Sequence, residues 1–147
     1  MSRQLWFVVF AAWTLTVTLL GCKGGNTPSM EKVSGLATLH NKPLTKGSIQ
    51  FMPDNSKGTH GRMALGEIGP DGKFILTTFK PGDGVQVGFY RVVVNCQDVV
   101  PFDPQNPKQP PRPKSLIPER YADENTSGLT AEVKQGTQNK FTFELTN

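Results

Sequence analysis

After residue 22, no ten-residue stretch of this chain carries a helical apolar stripe free of glycine and proline, which argues against a helical core. A period of two takes its place. Val33, Ala37 and Leu39 share one parity in VSGLATLH, as do Ile49 and Phe51 in GSIQFMP. Phe141, Phe143 and Leu145 alternate with Lys140, Thr142, Glu144 and Thr146. Successive side chains of a strand point to opposite sheet faces, so this pattern predicts strands with one buried face. The interruptions carry turn chemistry: Asn41-Lys42-Pro43 after the first strand, Pro70-Asp71-Gly72 before KFILTTF, and Pro81-Gly82-Asp83-Gly84 before VQVGFYRVVV. With 15 Gly and 12 Pro, the reading is an all-β chain of seven short strands, a β-sandwich with Greek-key connections.

The N-terminal segment follows a different rule. Leu5 to Leu20 is uncharged, follows Arg3, and spans 16 residues, short of the roughly 20 that a bilayer-crossing helix needs. That is the size of a secretory signal core behind a small positive region. Leu19-Leu20-Gly21-Cys22 then resembles a bacterial lipobox, with an aliphatic residue three before the cysteine and a small one directly before it. In such a motif the small residue fits the peptidase subsite and the thiol takes the lipid before cleavage. The reading is a signal peptide over 1–21 and lipidation at Cys22; an uncleaved anchor with Trp6 and Trp13 at the interface is the competing one. Lys23 to Lys32, KGGNTPSMEK, reads as a tether from Cys22 to a domain over 33–147. Its r.m.s. reach of roughly 18 Å exceeds the Debye length of about 8 Å, so the lipid and not the domain's charge holds the membrane.

Removing 1–21 leaves 126 residues, enough for one domain with its own core. Fifteen Lys and Arg against 12 Asp and Glu leave a charge of +3, with the signs interspersed and no basic run interleaved with aromatics. Nucleic acid is therefore not expected as a partner. A lipidated Cys22 cannot form a disulfide, so Cys96 stands single despite the even cysteine count. Tyr90, Val92, Val94 and Cys96 share parity, which places Cys96 inward as a small hydrophobe. No neighbouring His or basic residue activates it. Tyr90 is expected to bury its ring and bond a nearby backbone group through its hydroxyl. Gly82, Gly84 and Gly88 lie where a loop feeds that long strand.

Together, VSGLATLHNKPLTKGSIQFMP, GEIGPDGKFILTTFKPGDGVQVGFYRVVV, SLIPERYADENTSGLTAEV and FTFEL resemble the transthyretin-like, carboxypeptidase-regulatory-like domains of many small bacterial lipoproteins, over residues 32 to 146. The resemblance implies a prealbumin-like, Ig-like β-sandwich of about seven strands, an accessory or binding module without chemistry of its own. The chain departs from the commonest form at His40, where Asp or Asn usually begins the first hairpin; Asn41 is left to serve the turn. The hydroxyisourate hydrolases, relatives on the transthyretin fold, use a His and Arg set and end in Tyr-Arg-Gly-Ser, whereas here the last residues are Glu144-Leu145-Thr146-Asn147.

Other chemistry finds no constellation in the sequence. His40 and His60 fall in expected loops, apart from any acid-base partner. There is no H-x-x-x-H, C-x-x-C or phosphate loop, and Asp54, Asp71, Asp83, Asp98 and Asp103 are scattered turn residues without EF-hand spacing, so no metal or cofactor is expected. One segment exceeds scaffold: Asp98 to Pro118 holds seven of the 12 prolines, an extended polyproline stretch. Its Lys108, Arg112 and Lys114 suit an acidic or aromatic-lined partner if the segment is a docking arm; the alternative is a stiff inter-strand connection. Two functions follow. The first is a non-enzymatic, monomeric, lipid-anchored cell-envelope protein facing the periplasm or cell exterior, binding a protein, peptide or glycan. The second is a small-ligand carrier or catalytically inactive hydrolase relative, which requires a concave site with convergent polar groups.

Overall fold

The computed structural model describes residues 29–98 and 113–147. In chain order its strands are β1 Met30–Glu31, β2 Val33–Leu39, β3 Lys42–Pro43, β4 Ser48–Pro53, β5 Ala64–Glu67, β6 Lys73–Ile75, β7 Val85–Gln86, β8 Gly88–Asn95, β9 Gln97–Asp98, β10 Lys114–Ser115, β11 Leu129–Val133 and β12 Asn139–Leu145. Helix among the described residues is confined to single 3-10 turns at Asn55–Lys57 and Glu119–Ala122. No helix among them is long and apolar enough to cross a membrane. Among the described residues the chain is all-β: seven strands have three residues or more, and the other five are two-residue pairings at loop bases and ends.

Two main sheets organise the core. One is antiparallel, in the order β11-β8-β4-β5. The other is built on β2, with β12 parallel on one side and β3 and β6 antiparallel on the other. The chain changes sheet between β2 and β4, between β5 and β6, between β6 and β8, and between β11 and β12. The apolar parity of the longer strands faces the opposite sheet. Ile49 and Phe51 of β4, Tyr90, Val92 and Val94 of β8, and Phe143 and Leu145 of β12 are buried in one cluster. Phe51 joins the sheets: its ring centroid lies 5.7 Å from Tyr90 within its own sheet, and 5.7 and 6.0 Å from Phe141 and Phe143 across the core.

Several local expectations need correction. The first hairpin turns at His40-Asn41, not Asn41-Lys42-Pro43: Leu39 pairs with Lys42, and both turn residues have positive φ, 50° and 61°. That is a two-residue turn of the type whose twist matches the flanking strands, and both positions disfavour most L residues. KFILTTF stays regular only over β6, after which Thr77 makes an isolated bridge to Leu65. VQVGFYRVVV breaks at Val87 into β7 and β8. Gly88 starts β8 at φ 150°, and a Cβ there would meet Thr59 Oγ1 at 2.5 Å, the same oxygen that accepts the Phe89 N–H at 2.7 Å. Met30–Glu31, assigned to the tether by composition, forms β1 on β7, and the Glu31 side chain accepts the Gly136 N–H at 3.1 Å.

The Tyr90 and Cys96 expectations match the structure. Tyr90 is 1 % exposed and its hydroxyl donates to the Gln86 carbonyl at 2.7 Å. Burial pushes its pKa up to about 12. Cys96 is buried and free, and burial raises its thiol above the ordinary value. Thiolate is the reactive form, so native Cys96 should resist maleimide at neutral pH and react once denaturant is added. Labelling at equal rates in both conditions would contradict its placement in the core.

Candidate functional site

β5 and β6 are edge strands of different sheets, and they form an incomplete hairpin. Leu65 and Thr77 exchange backbone hydrogen bonds of 2.8 and 2.9 Å, and Gly69 N–H donates to the Lys73 carbonyl at 2.9 Å. Between these contacts, at Glu67 and Ile75, no bridge forms. The strands separate there because they belong to different sheets, and an open groove of about 870 Å³ results. Leu65, Ile68, Pro70, Phe74 and Ile75 supply its apolar lining, with Glu67, Lys73, Thr77 and Thr78 among them. Ile75 is 64 % exposed and Phe79, the residue after Thr78, is 63 % exposed. Arg62 lies over the Phe79 ring, 5.5 Å from its centroid, and Met63 beside it is also exposed. Of these exposed apolar side chains, Leu65 and Ile75 line the groove, whereas Phe79 and Met63 lie outside its lining.

Asp83 shapes the end of this groove. The Lys80-Pro81-Gly82-Asp83 turn closes with Asp83 N–H donating to the Lys80 carbonyl at 3.0 Å, and Gly82 supplies the positive φ of 69° that its third position needs. The Asp83 carboxylate then accepts the N–H groups of Thr78, Phe79 and Lys80 at 2.8, 2.9 and 2.9 Å. Those bonds, with the Thr78 N–H first, hold its pKa below the ordinary value against the opposing effect of desolvation. They also fix the backbone that presents Phe79. Because the folded pKa is depressed, the unfolded chain binds the extra proton. The contribution of Asp83 is therefore complete above the ordinary aspartate range near about pH 4 and fades as pH falls through the folded pKa. Asp83→Asn should lower the urea midpoint at pH 7, and the gap from the parent should close toward pH 2. A gap that stays constant over that range would show the carboxylate bonds to be irrelevant.

The residues singled out from sequence do not assemble into one site. Cys22, Lys108, Arg112 and Asp103 lie outside the described residues. Lys114 begins β10 and pairs in register with Asp98 of β9, while Ser115 pairs with Gln97. Lys46 also reaches Asp98, at 2.7 Å. This pairing closes the base of the proline-rich segment, and Leu116 N–H on the Cys96 carbonyl, together with buried Ile117, ties its last residues into the domain. The arm is thus shorter than 98–118. His40 and His60 are exposed, and His60 Nδ1 lies 2.9 Å from Asn55 Oδ1. Asp54 and Asp71 serve turns: Asp54 accepts the Ser56 N–H and hydroxyl, and Asp71 the Lys73 N–H. Among the described residues, no group of three or more His, Cys, Asp or Glu is placed to hold a metal ion.

No charged or proline-rich motif marks the groove in the sequence. A signal existed. Phe74 and Leu76 are both buried, and strand parity then sends Ile75 outward. No family model, no curated protein and no solved structure matches this chain.

Proposed function

We propose that this chain is a non-enzymatic, lipid-anchored binding module of the cell envelope, with a prealbumin-like β-sandwich of the transthyretin-like, carboxypeptidase-regulatory-like kind. It engages an apolar segment of an envelope protein or peptide along the β5–β6 groove. The observation that carries this reading is the pair of exposed apolar side chains Leu65 and Ile75 on an open groove, with exposed Phe79 next to its last lining residue, Thr78, whose N–H Asp83 accepts. The anchor reading rests on the lipobox-like Leu19-Leu20-Gly21-Cys22, and the sandwich reading is supported by two main sheets sharing one core.

The groove's size falls in the range of small-molecule sites, about 300 to 1,000 Å³, which favours the ligand-carrier alternative. Its exposed apolar rim favours a macromolecular segment instead. Crosslinking in intact envelopes distinguishes these readings and the proline-rich arm. The expected result is that an Ile75→Ser/Phe79→Ser double variant loses the crosslinked partner seen with the parent. Lys108, Arg112 and Lys114 changed together to Ser should retain it. Capture that survives the groove variant and fails in the arm variant would overturn the groove as the binding surface.

A further inference from the structure

Among the described residues, β12 is the outer strand of its sheet, joined to β2 on one side only. The direction of its backbone groups follows from one bond: His40 N–H donates to the Leu145 carbonyl, so Leu145 and every second residue before it turn toward β2. Lys140, Thr142 and Glu144 therefore direct their N–H and C=O groups to the open edge, and their side chains are all exposed. Thr146 fits the same alternation, since its outward N–H and C=O are both taken by the Tyr121 hydroxyl, at 2.9 and 3.1 Å. Lys140 N–H makes a tight bond of 3.1 Å to the Gln138 carbonyl. Lys140 and Glu144 enter no ion pair among the described residues. An edge of this length presents a ready template for another strand.

We propose that β12 pairs antiparallel with β12 of a second copy of this chain, about a twofold axis at Thr142. The charges select both partner and register. Centred on Thr142, the pairing sets Lys140 opposite Glu144 of the second copy and Glu144 opposite its Lys140, with threonine facing threonine. A register centred on Lys140 or on Glu144 sets like charges together. Opposite-charge and Thr–Thr cross-strand pairs are stabilising, and like charges directly opposite are not. A twofold contact needs such a self-complementary patch. The three outward residues of each copy then complete their backbone bonding, the Lys140 N–H exchanging Gln138 for the partner strand. Each copy keeps its own core, so two finished domains meet at an edge, and the chain is paired where a monomer is expected from sequence. The contact is separate from the β5–β6 groove and independent of the function proposed for it.

A photoreactive benzoylphenylalanine in place of Thr142, in the full chain in its native membrane, tests this. Irradiation should give a product of twice the chain mass with residues 139–147 joined to themselves. Lys140→Glu places glutamates opposite each other at both symmetric positions and should lower the yield about tenfold. Adding Glu144→Lys to that variant exchanges the charges and should restore the yield. Absence of the doubled product, a product with a different protein, or a double variant as weak as the single one would overturn the proposal. All three side chains are exposed, so the core is common to every arm of the test.

Discussion

Phe51→Ala should leave the domain close to unfolded. Phe51 is fully buried in β4 and is the ring through which the two sheets meet, in contact with Tyr90 on one side and with Phe141 and Phe143 on the other. Truncating it removes apolar burial and leaves a cavity bounded by three rings on two different sheets, which cannot close without shifting one sheet against the other. Phe→Ala changes in cores cost about 3–5 kcal/mol, against a total of about 5–15 kcal/mol for a domain. In residues 29–147 the urea midpoint should fall by about 2 M or the folded state should be lost, given a slope of about 1–3 kcal/mol per M. Phe79→Ala is the control. Its ring is mostly exposed, so the same measurement should move by no more than about 0.5 kcal/mol. Equal losses for the two variants would mean that the core is not centred on Phe51.

Cys22→Ser should detach the protein from its membrane or leave it unprocessed. Acyl chains contribute about 0.8 kcal/mol per buried CH₂, and two or more are needed for stable attachment. The domain has little else to offer a lipid surface, with a charge of +3 after residue 21 and the two signs interspersed. A hydroxyl in place of the thiol cannot take the lipid through sulfur. Fatty-acid label should therefore be absent from the variant and present in the parent. A variant that stays processed, labelled and membrane-bound would assign the anchor to another residue.

Period-two parity made much of the fold readable. It put Tyr90, Val92, Val94 and Cys96 on one inward face, and all four are buried. Turn chemistry was readable where proline and glycine impose dihedral angles, as at Pro70-Asp71-Gly72, where Gly72 N–H closes the turn onto the Gly69 carbonyl. The first hairpin was misplaced by one position because His40 adopts positive φ, a conformation that composition assigns to Gly, Asn or Asp. Strand pairing was not readable at all: the parallel match of β12 to β2 joins residues about a hundred positions apart, and β1 pairs with β7 although its sequence reads as linker. The groove depends on such long-range pairing. Parity with buried Phe74 and Leu76 puts Ile75 on an outer face, but that Leu65 of another sheet stands near it is set by the long-range pairing of β5 and β6. The charges of Lys140 and Glu144 select a register only for an edge strand, and that β12 is one follows from long-range pairing.

An anchored domain is the first requirement of the proposed function, and the intact mass of the chain extracted from its membrane tests it most directly. The expected result is a polypeptide beginning at Cys22 and carrying lipid there, with residues 1–21 removed and Cys96 unmodified. A chain that retains residues 1–21, or one that begins elsewhere with no lipid on Cys22, would contradict it.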